Sequence, residues 1–334
     1  MGAIEAGVAE LRKDKRNVAL PYLFLVYLLL GSLLAVPAFL GPLHWIWLVP
    51  AMGLVQYYVV ISGHEAVHKT LCFPEKLNDF FGVFGQALVG VNFTAYRQQH
   101  IDHHKASSHE MDPDAHIYYG VVSTPAGTRR FLKLTLGTLV EIVVKIHQKG
   151  SGGYGSERRL SDKVVFNKKR DSLLVILAQL SLMGICTLSV GGLPAVIGDL
   201  APAEGPLLEA LHIGAGMVWS YAVLWIIPLF CVTVFLNRCR IVVEHGLALK
   251  LAEGMEGDFG GPRIPTVDIV PGPVQRRLFA PFLFNYHCSH HLFMSVPHYN
   301  LPRLNRLLRE AGHDGHHGIE GSYVSALGRA MRAD

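Results

Sequence analysis

Three groups of closely spaced histidines are the part of this sequence best suited to chemistry. They read His64-Glu-Ala-Val-His68, His100-Ile-Asp-His103-His104 and His287-Cys-Ser-His290-His291. Residues three and four positions apart share a face of a helix, so each group can direct its imidazoles at one point. Imidazoles that converge in this way are typical metal ligands. The pattern predicts a metalloenzyme.

The number of histidines indicates more than one metal ion. The three groups contain eight imidazoles, and His245, between Glu244 and Gly246, is a ninth candidate. A zinc ion normally takes four ligands in all, so this set exceeds what one zinc ion can use. It suits two metal ions with five or six ligands each. Imidazole binds iron, copper, nickel and zinc alike, and therefore does not identify the metal.

The first group also allows an interpretation from a different class of enzyme. His64-Glu65-Ala-Val-His68 matches HExxH, the motif in which two histidines bind zinc and the glutamate is the general base of a metalloprotease. A site of two histidines and one carboxylate does not require two further HxxHH groups. A membrane zinc metalloprotease is therefore the weaker alternative, and the metal content of the protein would distinguish the two.

The composition places these histidines in a membrane protein. Half of the residues are hydrophobic and 17% are charged, against roughly 25% charged residues in an average soluble domain. Four apolar stretches approach the length of about 20 residues that crosses a bilayer as a helix, namely residues 18–36, 43–61, 173–197 and 212–236. We predict an all-α integral membrane protein in which residues 1–334 form one domain with four transmembrane helices in two hairpins.

Basic residues predict how the chain is oriented. They crowd the N-terminus, residues 97–170 and the chain from Arg238 onward, whereas the link within each hairpin carries no Lys or Arg. The positive-inside rule then places both termini and all three histidine groups in the cytoplasm, in a helical cap of residues 62–172 and 237–334. Five cysteines without a CxxC pair are expected to be reduced thiols.

Several segments outside the four spans are predicted to lie at the membrane surface. Residues 80–96 are apolar but Gly-rich and marginal in length, so we expect a re-entrant or interfacial segment. Residues 131–146 place charges among apolar residues at helical spacing, as in a helix that lies on the membrane plane. A basic amphipathic helix is predicted from about Pro302, and residues 1–17 are expected to be an interfacial helix or a tail.

Eight further histidines are expected not to bind the metal. His109 and His116 are predicted to lie on the surface or beside the ligands. Residues 313–317 repeat the HxxHH pattern, but the glycines at 312, 315 and 318 disfavour the helix that would align these imidazoles. Three more histidines, in or beside apolar stretches, are expected to be packing or interfacial residues: His44, His147 and His212.

The order HxxxH, HxxHH, HxxHH, distributed around two transmembrane hairpins, resembles the membrane fatty acid desaturase and hydroxylase superfamily. The resemblance runs from His64 to about Leu308 and includes Asn285-Tyr-His-Cys-Ser-His-His, followed by Val296-Pro and Tyr299-Asn-Leu-Pro. Three boxes in the right order are a specific signal, whereas any one alone would be weak.

The resemblance implies a pair of non-haem iron ions that activate O2 and remove hydrogen from an unactivated CH2 group. It implies that the eight box histidines are the ligands: His64, His68, His100, His103, His104, His287, His290 and His291. His245 looks like the additional histidine that several members carry in this region, including the alkane hydroxylases. An acyl chain in an apolar tunnel from the membrane would suit this chemistry.

Four acidic residues near the boxes are candidates for orienting the ligand imidazoles through hydrogen bonds: Asp102, Asp112, Asp114 and Glu244. For the aspartates, the alternative is an acidic loop exposed to solvent. The structure must decide between these roles.

Within the superfamily, the spacing of the boxes favours desaturation of a fatty acyl chain or acyl lipid. Hydroxylation is the alternative, because Glu244-His245-Gly246 is similar to the alkane hydroxylases. The chain has no CxxC pair for a rubredoxin or ferredoxin centre and no evident haem domain. Electrons are therefore expected from a separate donor of the ferredoxin or cytochrome b5 type, which docks on the basic face near Arg276, Arg277 and Arg303.

Overall fold

The computed structural model describes residues 2–40, 45–106, 112–150, 162–190, 205–253, 266–312 and 319–332, which are almost entirely helical. Among these residues, the first part of the chain forms eight α-helices: α1 (Gly2–Lys13), α2 (Ala19–Ala35), α3 (Trp45–Val67), α4 (Glu75–Leu88), α5 (Phe93–Ala106), α6 (Ala115–Val122), α7 (Thr128–Gly150) and α8 (Asp162–Ser189). The helical fold class predicted from the sequence is confirmed.

The second half begins with one continuous helical run. It comprises α9 (Pro206–Tyr221), α10 (Phe235–Ile241) and α11 (Ala248–Glu253), joined by π-helical turns at Ala222–Ile226, Leu229–Val234 and Val242–Leu247. The chain then forms β1 (Asp268–Ile269), α12 (Pro273–Phe279), α13 (His287–Leu292), α14 (Leu301–Glu310), β2 (Ile319–Glu320) and α15 (Tyr323–Met331). The two short strands pair in parallel, with Asp268 opposite Ile319.

Four helices in the described part of the chain are long and apolar enough to cross a membrane: Ala19–Ala38, Ile46–Val67, Asp162–Ser189 and Glu209–Lys250. Their number agrees with the sequence prediction. The helices extend beyond the predicted apolar stretches, because a helix satisfies its own backbone hydrogen bonds and need not end where the hydrocarbon layer ends. This extension carries α3 as far as Val67 and therefore places His64 within a long helix. Residues 191–197 of the predicted third span lie outside the described residues.

Large apolar side chains point outward from the long helices. Phe24 on α2 is 72% exposed and Leu188 on α8 is 75% exposed. Exposed apolar surface of this extent is typical of a face that lipid covers. Together with the four long helices, it defines a membrane protein. The side of the membrane on which the termini lie stays a prediction.

The α4–α5 segment turns back instead of continuing as one helix, as the prediction for residues 80–96 requires. At the far end of α4, Gln179 of α8 donates to the carbonyls of Ala87 and Leu88 at 2.7 and 2.9 Å. Gly90, with φ +77°, lies in the turn. Asn92 then donates to Ser172 Oγ at 2.8 Å, so α5 starts nearer the N-terminus of α8 and returns along it. This hairpin holds α5 and its three histidines in place.

The N-terminal residues form helix α1, which packs on α14; its position at the membrane interface stays a prediction. Val8 and Leu11 of α1 are buried against Leu301, Leu304 and Leu308 on the apolar face of α14. The amphipathic helix predicted from about Pro302 is therefore α14. It connects the N-terminus to the segment that follows the third histidine group.

Candidate metal centre

Four segments of the chain carry the predicted ligands, and these segments come together in one place. Helix α3 supplies His64, and the turn directly after it supplies His68. The second box lies on α5, the third lies on α13, and the π-helical turn Val242–Leu247 supplies His245. Seven of the nine histidines are buried, and His68 and His291 are half-buried. The structure thus brings all nine into one interior region.

The imidazoles form two neighbouring groups. In the first, one ring nitrogen from each member lies within 4.8 Å of all the others, and the members are His64, His68, His100, His104 and His290. In the second, the same criterion joins His103, His245 and His291. His287 belongs beside the second group, since its Nε2 lies 2.8 Å from Nε2 of His245. The two groups touch where the rings of His104 and His291 stack at 4.1 Å.

The expectation that each HxxHH box aims at a single point is wrong. Helix α5 sends His100 and His104 to the first group and His103 to the second. Helix α13 divides in the same way, with His290 in the first group and His291 in the second. Adjacent residues on a helix point about 100° apart, so each HH pair divides between two sites. One box therefore serves both groups.

The arrangement of ring nitrogens fits metal ions. Nε2 of His100 lies 3.0 Å from Nε2 of both His68 and His104. Two ligands at right angles on a metal ion with bonds of about 2.1 Å would lie about 3 Å apart. Within the described part of the chain, three buried Nε2 atoms of these histidines have no hydrogen-bond partner, namely those of His64, His290 and His291. An unpaired buried nitrogen is costly, and a bound cation would give it a partner.

The protonation state of the histidines suits metal binding. Burial, reinforced by neighbouring imidazoles, lowers the pKa of His100 and His291 well below the usual value. Burial lowers the pKa of His290 to about 3, with Arg240 nearby adding to the effect. These imidazoles are therefore neutral at physiological pH, the form in which histidine binds a metal.

Asp112 makes the kind of contact predicted for the acidic residues. Its Oδ1 lies 2.8 Å from Nδ1 of His103, and its Oδ2 accepts a hydrogen bond from Tyr118 at 2.5 Å. Asp114 is more distant, with Oδ2 at 3.9 Å from the same nitrogen of His103. Asp102 lies instead on the face of α5 that lines a separate groove, 3.8 Å from Nζ of Lys105. The three aspartates therefore occupy different environments.

Glu244 is placed beside His287. Its Oε2 lies 3.5 Å from Nδ1 of His287 and pairs with Arg240, while Oε1 accepts a hydrogen bond from Tyr323 at 3.0 Å. Tyr323 belongs to α15, near the C-terminus. The last helix of the chain is thus connected to the histidines through one carboxylate.

Two further acidic residues hold parts of the site in place. The sequence analysis did not predict this role for either of them. Glu65 Oε1 lies 3.3 Å from Nδ1 of His64, and its Oε2 accepts from Thr70 at 3.0 Å. Its adjacency to His64 was visible, but the HExxH motif suggested a general base instead. Asp268 accepts from Cys288 N and Ser289 Oγ at 2.7 Å each and so fixes the start of α13. Asp268 lies far from the third box in sequence, and no local pattern identifies it.

A cavity of about 390 Å³ ends at the imidazoles of both groups. Most of its wall area is apolar and includes Val91, Leu229 and Phe230. Polar and charged side chains line the rest, among them Thr138, Asn237, Gln86, Gln99, Asp114 and Arg240. The same space is lined by His64 and His100 of the first group, by His103 and His245 of the second, and by His287 beside the second. This shape suits a flexible apolar ligand with few polar fixtures.

Comparison with known proteins identifies the class. The family model described as fatty acid desaturase matches residues 42–320. The chain therefore belongs to the fatty acid desaturase family, as the resemblance of its histidine boxes predicted. Membership of this family, together with two groups of histidines, leaves no support for the zinc protease. Glu65, the base that such a protease would need, is buried and hydrogen-bonded to Thr70.

Individual relatives are similar at low identity. A Delta(12) acyl-lipid conjugase (11E,13E-forming) from Momordica charantia is 25% identical over 274 residues, 78% of this chain and 61% of the relative. A chloroplastic omega-3 fatty acid desaturase from Brassica napus is 23% identical over 291 residues, 82% of this chain and 64% of the relative. A ceramide hydroxylase from Caulobacter vibrioides is 29% identical over 128 residues, 36% of this chain and 34% of the relative. The chain spans less than two thirds of the length of each.

Proposed function

We propose that this protein is an O2-dependent oxidoreductase that introduces a double bond into the acyl chain of a fatty acid or lipid. The observation that carries the proposal is the pair of adjacent histidine groups at the end of one mainly apolar cavity. All nine histidines are assigned as ligands of two iron ions. When bound, the iron ions would supply the activation of O2 needed to remove hydrogen from a CH2 group.

The protein residues supply positioning and exclude water. The apolar walls around Val91 and Leu229 hold an acyl chain against both histidine groups. A dry, shaped cavity protects a strong oxidant from side reactions. Oδ1 of Asp112 accepts a hydrogen bond from Nδ1–H of His103, which leaves Nε2 of that ring to bind metal.

Desaturation is favoured over hydroxylation because the relatives that match most of the chain are named as a conjugase and desaturases. In the proposed reaction, one CH2–CH2 unit, O2, two electrons and two protons give CH=CH and two waters. Hydroxylation is the second candidate, supported by the shorter match to a ceramide hydroxylase. It would instead insert one oxygen atom and release one water.

Mass spectrometry of the products tests the reaction. Membranes that contain the protein are incubated with acyl lipids, O2 and a reducing system. Loss of two hydrogens from the acyl chain is expected. Gain of one oxygen would identify a hydroxylase instead. If iron is bound but acyl chains remain unchanged across free acids and lipids, the proposed substrate class is wrong.

The assignment of the cavity predicts the effect of filling it. Val91→Trp is expected to lower turnover by on the order of 10-fold or more while iron content stays unchanged, because the indole occupies the space of the acyl chain. Turnover and iron are measured on the same purified sample. Val218→Trp is the matched control, since Val218 is exposed on the apolar surface of α9. Equal turnover of the two variants would contradict the assignment.

We assign electron transfer to a separate donor of the ferredoxin or cytochrome b5 type. Arg276 and Arg277 are exposed on α12, and Arg303 is exposed on α14. Their positive charge suits an acidic donor surface. We further assign these residues, both termini and the metal centre to the cytoplasmic side, in line with the distribution of basic residues.

Neutralising the three arginines tests the docking surface. The triple change to Gln is expected to lower kcat/KM for the donor by on the order of 10-fold at low salt, with a smaller difference at high salt. A triple Lys→Gln variant at the exposed positions 163, 168 and 169 of α8 removes the same charge elsewhere. If both triple variants behave like the parent protein, the donor docks elsewhere.

A further inference from the structure

A second, larger cavity lies on the far side of α5 from the imidazoles. This outer groove has a volume of about 1070 Å³ and runs between α4, α5 and α8. Among the residues that the structure describes, none lines both the outer groove and the cavity at the histidines. On α5, His100 and His103 face the histidine cavity, whereas Arg97 and Ile101 face the outer groove. The groove is therefore a separate site.

One end of the outer groove is apolar. Phe80 and Phe84 of α4 line it with rings stacked 5.9 Å apart, and Leu174 and Leu177 of α8 face them. No other part of the protein covers these four side chains fully, and each is exposed. They lie on or beside a helix long enough to cross the membrane. This end of the groove suits a hydrocarbon chain.

The other end is lined by four basic side chains, from Lys76, Arg97, Lys105 and Arg170, and by two carboxylates, from Asp79 and Asp102. Arg170 is already paired with Asp171 at 2.6 Å. Arg97 lies 3.6 Å from Asp79, and Lys105 lies 3.8 Å from Asp102. These separations exceed hydrogen-bonding distance, so both cations retain donors for a further anion. Lys76 has no acidic partner within 4 Å among the described residues. The charged end therefore suits a phosphate group.

The two ends are spaced like the parts of one lipid molecule. On α8, the lining extends from Val164 to Ser181, about 25 Å of helix. The apolar part from Leu174 to Ser181 covers about 10 Å. One leaflet of a bilayer contributes about 15 Å of hydrocarbon. The basic end therefore lies where the headgroup of a lipid in the same leaflet would lie.

We propose that the outer groove binds one anionic phospholipid. Its phosphate lies among Lys76, Arg97 and Lys105, and an acyl chain lies against Phe84 and Leu177. This lipid is distinct from the chain that is oxidised, which occupies the cavity at the histidines. Because α5 carries imidazoles on its opposite face, the bound lipid also supports the helix that positions the second histidine box.

Binding to the intact protein in detergent tests the proposal, with native mass spectrometry as the readout. Phosphatidylglycerol is expected to bind more tightly than phosphatidylcholine with the same chains. The double variant Lys76→Gln/Arg97→Gln is expected to bind phosphatidylglycerol roughly 30-fold more weakly, since a basic side chain near an anionic lipid contributes about fivefold. Glycerol phosphate, which lacks the chains, is expected not to compete at millimolar concentration.

The matched control is Lys168→Gln/Lys169→Gln, which removes two exposed charges of α8 outside the groove. Equal loss of binding in both double variants, or equal binding of the two phospholipids, would overturn the proposal. A photoreactive phosphatidylglycerol on the unaltered protein gives a second measurement that does not depend on a variant. Crosslinks on α4, α5 or α8 along the groove support the site, and crosslinks confined to other helices contradict it. Neither readout depends on turnover, so the result is independent of the proposed reaction.

Discussion

Replacing His290 by alanine is expected to lower the iron content from two ions per chain towards one and to reduce turnover by more than about 100-fold. His290 belongs to the five-membered group, and its ring lies 4.6 Å from that of His68 and 4.9 Å from that of His64. Loss of an outer hydrogen-bond partner of a metal ligand already costs 10- to 100-fold, so loss of a ligand is expected to exceed this. Elemental analysis and Mössbauer spectroscopy of the purified protein measure the effect.

A companion variant tests the second group. His245→Ala is expected to lower iron content as well, because His245 lies beside His103, His287 and His291. His212→Ala is the control, since His212 lies on α9 in a long apolar helix and belongs to neither group. A single zinc ion that is retained in both His290→Ala and His245→Ala would contradict the iron assignment and revive the zinc protease. If the His245→Ala variant still binds two iron ions per chain, His245 is not a ligand.

The Asp112→Asn variant is expected to have a 10- to 100-fold lower metal affinity or turnover. Three donors converge on the carboxylate: Nδ1 of His103 and the backbone N of Asp114 on Oδ1, and the hydroxyl of Tyr118 on Oδ2. Asparagine has one acceptor oxygen in place of two, so at least one buried donor would lose its partner. His103 would then be held less firmly in the tautomer that leaves Nε2 for the metal.

Asp102→Asn is the matched control, because this aspartate lies on the groove side of the same helix, near Lys105. Its turnover and iron content are expected to match those of the parent protein. Titration of iron into the metal-free protein gives the affinity, and steady-state assays give the turnover. Equal loss of metal in Asp112→Asn and Asp102→Asn would mean that any negative charge near α5 has the same effect. The contact between Asp112 and His103 would then not be the cause. That result would contradict the assignment of Asp112 as the residue that orients His103.

Much of the fold could be predicted from the sequence, because the patterns that determine it involve residues close together in the chain. Continuous apolar stretches predict helices that cross a membrane, since a helix in lipid must satisfy its own backbone groups. The Gly-rich character and marginal length of residues 80–96 predicted a re-entrant or interfacial segment. The chain does turn between α4 and α5, and the position of this turn in the membrane stays a prediction. The ends of the long helices could be predicted less well, because a helix can continue through polar residues past the hydrocarbon layer. The extension of α3 to Val67 is an example.

The histidine boxes show the limit of sequence information at the site. Their spacing identified eight candidates, and the family resemblance added a role for His245, which is isolated in sequence. The division of His103 from His104, and of His290 from His291, depends on where the partner helices lie. Similarly, Asp112 and Asp102 look alike in sequence, but they lie on opposite sides of α5. Asp112 contacts Nδ1 of His103, whereas Asp102 lines the outer groove.

The sequence by itself determined the class of the protein: a membrane-embedded helical chain of the fatty acid desaturase family with nine candidate imidazole ligands. Periodicity and composition act over a few turns of helix, so a single chain displays them directly. Only the tertiary structure decided which imidazoles share a group, that Glu65 and Asp268 support them, and that an outer groove lies behind α5. These features depend on contacts between residues up to about two hundred positions apart, and no local pattern encodes such distances.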